Sequence, residues 1–345
     1  MNVADITTPF SLAESSPTQN KQPEHYETPL VLLLFKSTIA VTSLLANSLC
    51  LVVLRRVREL NPVTKAFMVN MTISDLCIDI FICGPAIGAI IQGSWPYGEI
   101  ICNVQSICNI VFITASMTSL LILNLERYIA VTRSFDHPHL VTLPRAYATI
   151  FLVWIVSCSM GTLAAVLPGR FASYLPEFHT CVFGPKDTNK MDIIGIVEMC
   201  LFVILITITL ILFVQLFLIA RLHAKRIADL ARATRMDDKT QRKSFITFFL
   251  MTICLAVCYT PLGISICYEN IRKELPVVFV YIADLLYVSN GVLNVMIYYA
   301  RNAIFRQTTM RLFRECLTAA QNFARNTNTQ LRNFQSNWNG TSTNS

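Results

Sequence analysis

The stretch EIICNVQSICNIVFITASMTSLLILNLERYIAV occupies residues 99–131 and carries no charge between Glu99 and Glu126. About 20 predominantly apolar residues suffice for an α-helix to cross the hydrocarbon of a bilayer. This run closes on Glu126-Arg127-Tyr128, so a helix entering at one face delivers an arginine to the other. Working outward, comparable apolar runs lie near 29–55, 64–91, 145–167, 192–221, 244–268 and 276–299. With 99–131 they make seven spans and leave no room for a second domain. Composition agrees: 54% of the 345 residues are hydrophobic and 14% charged, against about 25% charged in soluble proteins. That balance argues against a disordered chain, a coiled coil, a disulfide-stapled module or a soluble enzyme. A spanning β-barrel would show alternating runs of about ten residues. The expected fold is all-α, a seven-transmembrane helix bundle with a short amphipathic helix after the seventh span.

Flanking charge sets the orientation. The loops after spans 1, 3 and 5, with the tail, hold 20 of the 28 lysines and arginines and six of the 21 acids. The opposite side holds six basic residues and ten acids. The N-terminus is therefore expected outside and the C-terminus inside, in a multi-pass protein of the plasma membrane. Membrane topology accounts for the basic loops, so no nucleic-acid partner is expected. Residues 1–28 form an extracellular tail, 29–300 the bundle, 301–314 an amphipathic cytoplasmic helix and 315–345 a disordered cytoplasmic tail. The polar start, with Pro9, Pro17 and Pro23, lacks a basic stretch leading into an apolar one, and no cleaved signal peptide is expected.

Further landmarks accompany the arginine. Asn47 lies in span 1, Asn70-Met-Thr-Ile-Ser-Asp75-Leu76 in span 2 and Trp154 in span 4. Cys258-Tyr259-Thr260-Pro261 lies in span 6 and Asn294-Val-Met-Ile-Tyr298 in span 7. Cys102 precedes Arg127 by 25 residues, and Cys181 sits in the loop after span 4. With the segment Glu126-Arg-Tyr-Ile-Ala-Val-Thr-Arg-Ser-Phe135, this set resembles the rhodopsin-like (class A) G-protein-coupled receptors, and in local motifs the biogenic-amine receptors. The resemblance covers all seven spans and the helix after them.

It implies a disulfide between Cys102 and Cys181, both on the oxidising side where such bonds persist. It implies that Asp75, Ser116, Asn290 and Asn294 meet around a structural sodium ion, a carboxylate with neutral oxygens suiting a hard cation. It implies a switch in which Glu126 holds Arg127 at rest, Pro261 supplies a pivot, and Tyr128 and Tyr298 take part. Phe135 would insert into a Gα subunit, and Cys316 after the amphipathic stretch is a candidate for palmitoylation. The partners implied are a heterotrimeric G protein, with receptor kinases and arrestin on a tail rich in serine and threonine.

Several positions depart from the pattern. Val295 stands where the span-7 motif has proline, and Tyr259 where span 6 usually has tryptophan. Val288 occupies the position of the opsin lysine, so no retinal is expected. Asn109 replaces the span-3 aspartate with which amine receptors pair an ammonium. A cationic ligand would then need another counter-charge, Glu198 or Asp284, unless Asp284 binds Lys36. Lys36 lies near the outer end of span 1, where its chain can snorkel. Tyr259 and Tyr287 are expected to line the pocket, which would take an extracellular small molecule or a peptide. No nucleophile–base pair or phosphate loop points to an enzyme. The alternatives are a non-coupling heptahelical scaffold and, less well matched, a transporter.

Overall fold

The computed structural model describes residues 30–133, 135–185, 193–231, 239–270 and 275–341. The expected tail at 1–28 lies outside them. Seven long helices follow one another: α1 (Leu30–Arg56), α2 (Pro62–Gln92), α3 (Gly98–Thr132), α4 (Leu143–Val166), α5 (Ile193–Ala231), α6 (Lys239–Asn270) and α7 (Val277–Arg301). A helical turn, His137–Leu140, joins α3 to α4, and α8 (Ala303–Thr341) closes the chain.

Local chemistry sets the helix ends. Asn61 Oδ1 accepts the Val63 amide at 2.9 Å, and Pro62 fills the first turn of α2, where its missing N–H costs nothing. Gly93 stops α2 with φ +65°, the left-handed cap that glycine adopts without strain. Within α2, residues Asp79–Cys83 widen into a π turn just before Pro85. Proline cannot donate to the preceding turn, and a wider turn absorbs the lost bond. α6 carries Pro261 inside it. α7 has Val295 instead of proline and runs as one helix from Val277 to Arg301.

α3 is the central strut, packed against α2, α4, α5 and α6, while α7 packs on α1 and α6. The bundle buries polar side chains within its apolar core: Asn47, Asn70, Asp75, Ser116, Asn124 and Asn294 are buried, whereas Leu45, Phe151, Val166 and Val278 are exposed. Such an arrangement suits a hydrocarbon surround. Asn70 shows the internal bonding. Its Nδ2 donates to Ser119 Oγ at 2.7 Å and its Oδ1 accepts from Trp154 Nε1 at 2.8 Å, tying α2, α3 and α4.

Two features differ from expectation. The segment after α4 folds as an antiparallel hairpin, β1 (Arg170–Leu175) and β2 (Thr180–Pro185), with Tyr174 opposite Cys181. The helix expected over 301–314 continues to Thr341. No proline falls between 315 and 341 to end the helix, although six asparagines make the intrinsic propensity of that stretch low. Phe305 is buried at the start of α8, but residues 314–330 are exposed on every side. Cys316 is among the exposed residues.

Candidate ligand cavity and switch residues

At one end of the bundle, Cys102 of α3 is bonded to Cys181 of β2. Gln105, one turn along α3, accepts the Cys181 amide at 2.8 Å and donates to the Ile82 carbonyl at 3.3 Å. The hairpin is thereby fixed over a cavity of about 810 Å³. Lys36 and Asp284, Asn109 and Tyr287, Phe178 and Thr180 are among its lining residues.

Lys36 corrects one expectation. It does not snorkel: it is 2% exposed and turns inward. Its Nζ lies 2.6 Å from Asp284 Oδ2 and 3.1 Å from the Phe178 carbonyl. Asp284, expected as counter-charge for a cationic ligand, is thus already paired, because in the low-dielectric interior each charge needs the other. Tyr259 corrects another. It does not line the cavity but is buried behind two rings that do, with centroids 5.7 Å from Phe202 and 5.6 Å from Tyr287. The Tyr287 hydroxyl donates to Asn109 Oδ1 at 3.1 Å, so the neutral substitute on α3 is engaged as well. The side chain of Glu198 lies outside the described residues.

The hairpin tip carries His179 with φ +54°, a conformation costly for a residue with a Cβ. Its ring is buried against Tyr281, centroids 6.1 Å apart. Burial, then the Lys36 charge, lowers its pKa from the usual 6.5 to about 4.

Deeper in the bundle, Ser116 Oγ donates to Asp75 Oδ1 at 2.7 Å and Asn294 Nδ2 reaches Asp75 Oδ2 at 3.4 Å. Three of the four expected residues therefore meet. Asn290 is buried too, but its Oδ1 has no hydrogen-bond partner, and neither do those of Asn294 and Asn47. Asp79, not assigned from sequence, adds a second carboxylate one turn from Asp75, accepting from Ser43 at 2.9 Å. Its spacing of four from Asp75 was the available signal. Gly291 admits this packing, since an added Cβ would sit 2.9 Å from Ser43 Oγ and 3.2 Å from Asn47 Nδ2.

At the other end, Arg127 Nε lies 2.9 Å from Glu126 Oε2, and its Nη2 donates to Thr64 Oγ1 of α2. Glu126 Oε1 meets His137 Nε2 at 3.1 Å, a partner that sequence spacing did not mark. Asn124 Nδ2 donates to Thr252 Oγ1 at 2.8 Å, holding α6 to α3. Tyr298 is buried with its ring 6.4 Å from Phe305, and its hydroxyl has no partner. Phe135 is 95% exposed. Tyr128 is half-buried, and its carbonyl accepts from Thr132.

Among the described residues, six helices long and apolar enough to cross a membrane, a shorter apolar stretch in α6, and a disulfide-roofed cavity at the end opposite an ion-paired arginine describe a multi-pass membrane bundle. Residues 46–298 match the family model described as 7 transmembrane receptor (rhodopsin family), and the chain belongs to that family of G-protein-coupled receptors. The histamine H2 receptor of Homo sapiens is 26% identical over 266 residues, covering 74% of this chain and 72% of that receptor. The histamine H2 receptor of Canis lupus familiaris is 24% identical over 269 residues, covering 77% and 74%. The melatonin receptor type 1C of Xenopus laevis is 21% identical over 327 residues, covering 91% and 74%. These relatives are receptors, and the chain is a receptor rather than an enzyme.

Proposed function

We propose that the chain binds an extracellular ligand in the cavity beneath the hairpin and activates a heterotrimeric G protein at the Arg127 end, in the plasma membrane with its N-terminus outside. The observation that carries this reading is the separation of two polar assemblies by one packed bundle. The cavity group runs from Lys36 through Asp284 and Tyr287 to Asn109, and Tyr259 backs it. The Arg127 group is held by Glu126, Thr64 and, through α3 and α6, the Asn124–Thr252 bond. A ligand that favours a different packing of α6 and α7 shifts the population toward a state in which Arg127 is released. No bond is made or broken. Phe135, exposed on the same side, offers the Gα subunit an apolar contact.

Asp75, Ser116 and Asn294, with Asn290 nearby in sequence, form a donor set that fits a sodium ion. The three unpartnered amide oxygens of Asn47, Asn290 and Asn294 support a hard cation. Thermal stability that rises in NaCl but not in KCl, and loses that difference in Asp75→Asn, would support the site. Arrestin and receptor kinases are proposed partners of the hydroxyl-rich tail, and Cys316 a proposed palmitoylation site.

Agonist-independent nucleotide exchange on a panel of Gα subunits, with Arg127→Ala as control, tests the function. Exchange above that of Arg127→Ala is expected on at least one subunit. The unbroken α7 at Val295 favours one rival, a heptahelical scaffold without coupling. No exchange on any Gα, with or without ligand, would establish that rival.

A further inference from the structure

The class of ligand follows from the charges of the cavity, given the receptor function proposed above. We propose that the cavity recognises an amino-acid-type zwitterion, with Lys36 binding its carboxylate and Asp284 its ammonium. Among the described lining residues the charged groups are Lys36, Arg170 and Asp284. Arg170 donates to the Phe183 carbonyl of the hairpin at 3.1 Å. Lys36 and Asp284 are committed to each other at 2.6 Å, both nearly inaccessible to solvent.

A simple protonated amine gains Asp284 only by stripping Lys36 of its partner. A simple carboxylate gains Lys36 only by stranding Asp284. Either exchange leaves a buried charge uncompensated, which is the costly case for an interior ion pair. A ligand bearing both charges exchanges both partners at once and strands neither. Asn109 supplies no competing charge, since it is neutral and bonded to Tyr287. A second observation points the same way. Thr180 also lines the cavity, buried, with its Oγ1 lacking any hydrogen-bond partner. A hydroxyl can accept from an ammonium or donate to a carboxylate. The remaining lining, Ile82, Phe171, Phe178, Phe202 and Leu262 among it, suits an apolar or aromatic ligand body.

The test uses the full-length receptor purified into lipid nanodiscs, with saturable thermal stabilisation as readout. The probes are the twenty L-amino acids. For each one that stabilises, the decarboxylated amine, the deaminated acid and the neutral N-acetyl amide are added. At least one apolar or aromatic amino acid is expected to bind, with its amine, acid and neutral derivative weaker by about thirtyfold or more. Lys36→Met is expected to lose binding by a similar factor. If that variant fails to fold, Lys36→Met/Asp284→Leu removes both charges together, and it too is expected to lose the amino-acid response. Binding of the amine, the acid or the neutral derivative as tight as that of the amino acid overturns the proposal. So does the absence of stabilisation by any amino acid, or retention of the response in the double variant. Basal nucleotide exchange on the same wild-type preparation judges the receptor function independently of all these results.

Discussion

Lys36 and Glu315 show how differently two charged side chains of one chain bear on stability. Glu315 pairs with Arg311 at 3.1 Å and Arg56 at 3.7 Å on exposed surface, where water and salt leave such contacts worth about 0–1 kcal/mol. Glu315→Gln is therefore expected to leave the melting temperature nearly unchanged. Lys36→Met strands Asp284 in the interior and is expected to cost about 3–5 kcal/mol, with most of that recovered in Lys36→Met/Asp284→Leu. Melting curves of the single and double variants in one detergent or nanodisc preparation check both statements. His179 adds a pH dependence. Its folded pKa, about 4, lies below the 6.5 of the unfolded chain, so unfolding takes up a proton between those values. Stability is then fully present above about pH 6.5 and falls as the pH drops toward 4. His179→Asn, which keeps a side chain tolerant of positive φ, should flatten the decline in a series of melts across that window. Lys36 and Asp284 are 248 positions apart. Sequence leaves their pairing as one alternative for Asp284, and only the docking of α1 against α7 decides for it.

At the scale of the element, what was legible depended on how local its cause was. The seven spans follow from runs of neighbouring residues, and their expected bounds lie within a few residues of the helices over most of the chain. α5 and α6 extend well beyond them, because basic and polar residues past the apolar run continue a helix without needing hydrocarbon around it. The hairpin was not legible. Its strands are short and its pairing depends on Cys181, held by α3. Nor was the extension of α8, whose asparagine- and threonine-rich sequence has low helix propensity. The α3–α4 contact, by contrast, is close at a glycine that leaves no room for a Cβ. A Cβ at Gly161 would lie 2.7 Å from Val111 Cγ2 and 3.1 Å from the Ile107 carbonyl, and a backbone oxygen cannot rotate away. Small residues let membrane helices approach closely in this way. Gly161→Val is expected to destabilise the bundle by about 1–3 kcal/mol, seen as a lower melting temperature and reduced surface expression. Gly93→Val tests the other role of glycine, a backbone at φ +65° with nothing within 4 Å: strain without a clash.

The whole molecule is organised by where its few charges stand along the membrane normal. The 20 basic residues gathered on the Arg127 side predict that side to be cytoplasmic. Antibody should then reach an N-terminal epitope tag on intact cells and a C-terminal tag only after permeabilisation; the reverse pattern would invert every assignment of outside and inside. The described interior reserves its remaining charge for sites: Lys36 with Asp284 near the disulfide, Asp75 and Asp79 in the middle, Glu126 and Arg127 at the far end. The hairpin completes the first of these. It is held to α3 by the Cys102–Cys181 bond and by Gln105, and to α1 through the Phe178 carbonyl on Lys36. A roof anchored on both sides is a kinetic barrier as well as a wall. In the proposed receptor it would retard entry and escape alike, while its own lining residues, Phe178 and Thr180 among them, would add to the affinity. Loosening one anchor should raise the association and dissociation rate constants together, and any change in their ratio would report the contacts that the hairpin itself makes in the cavity. Duration of signalling would then depend on the hairpin's anchors, and affinity on a cavity lining to which the hairpin contributes.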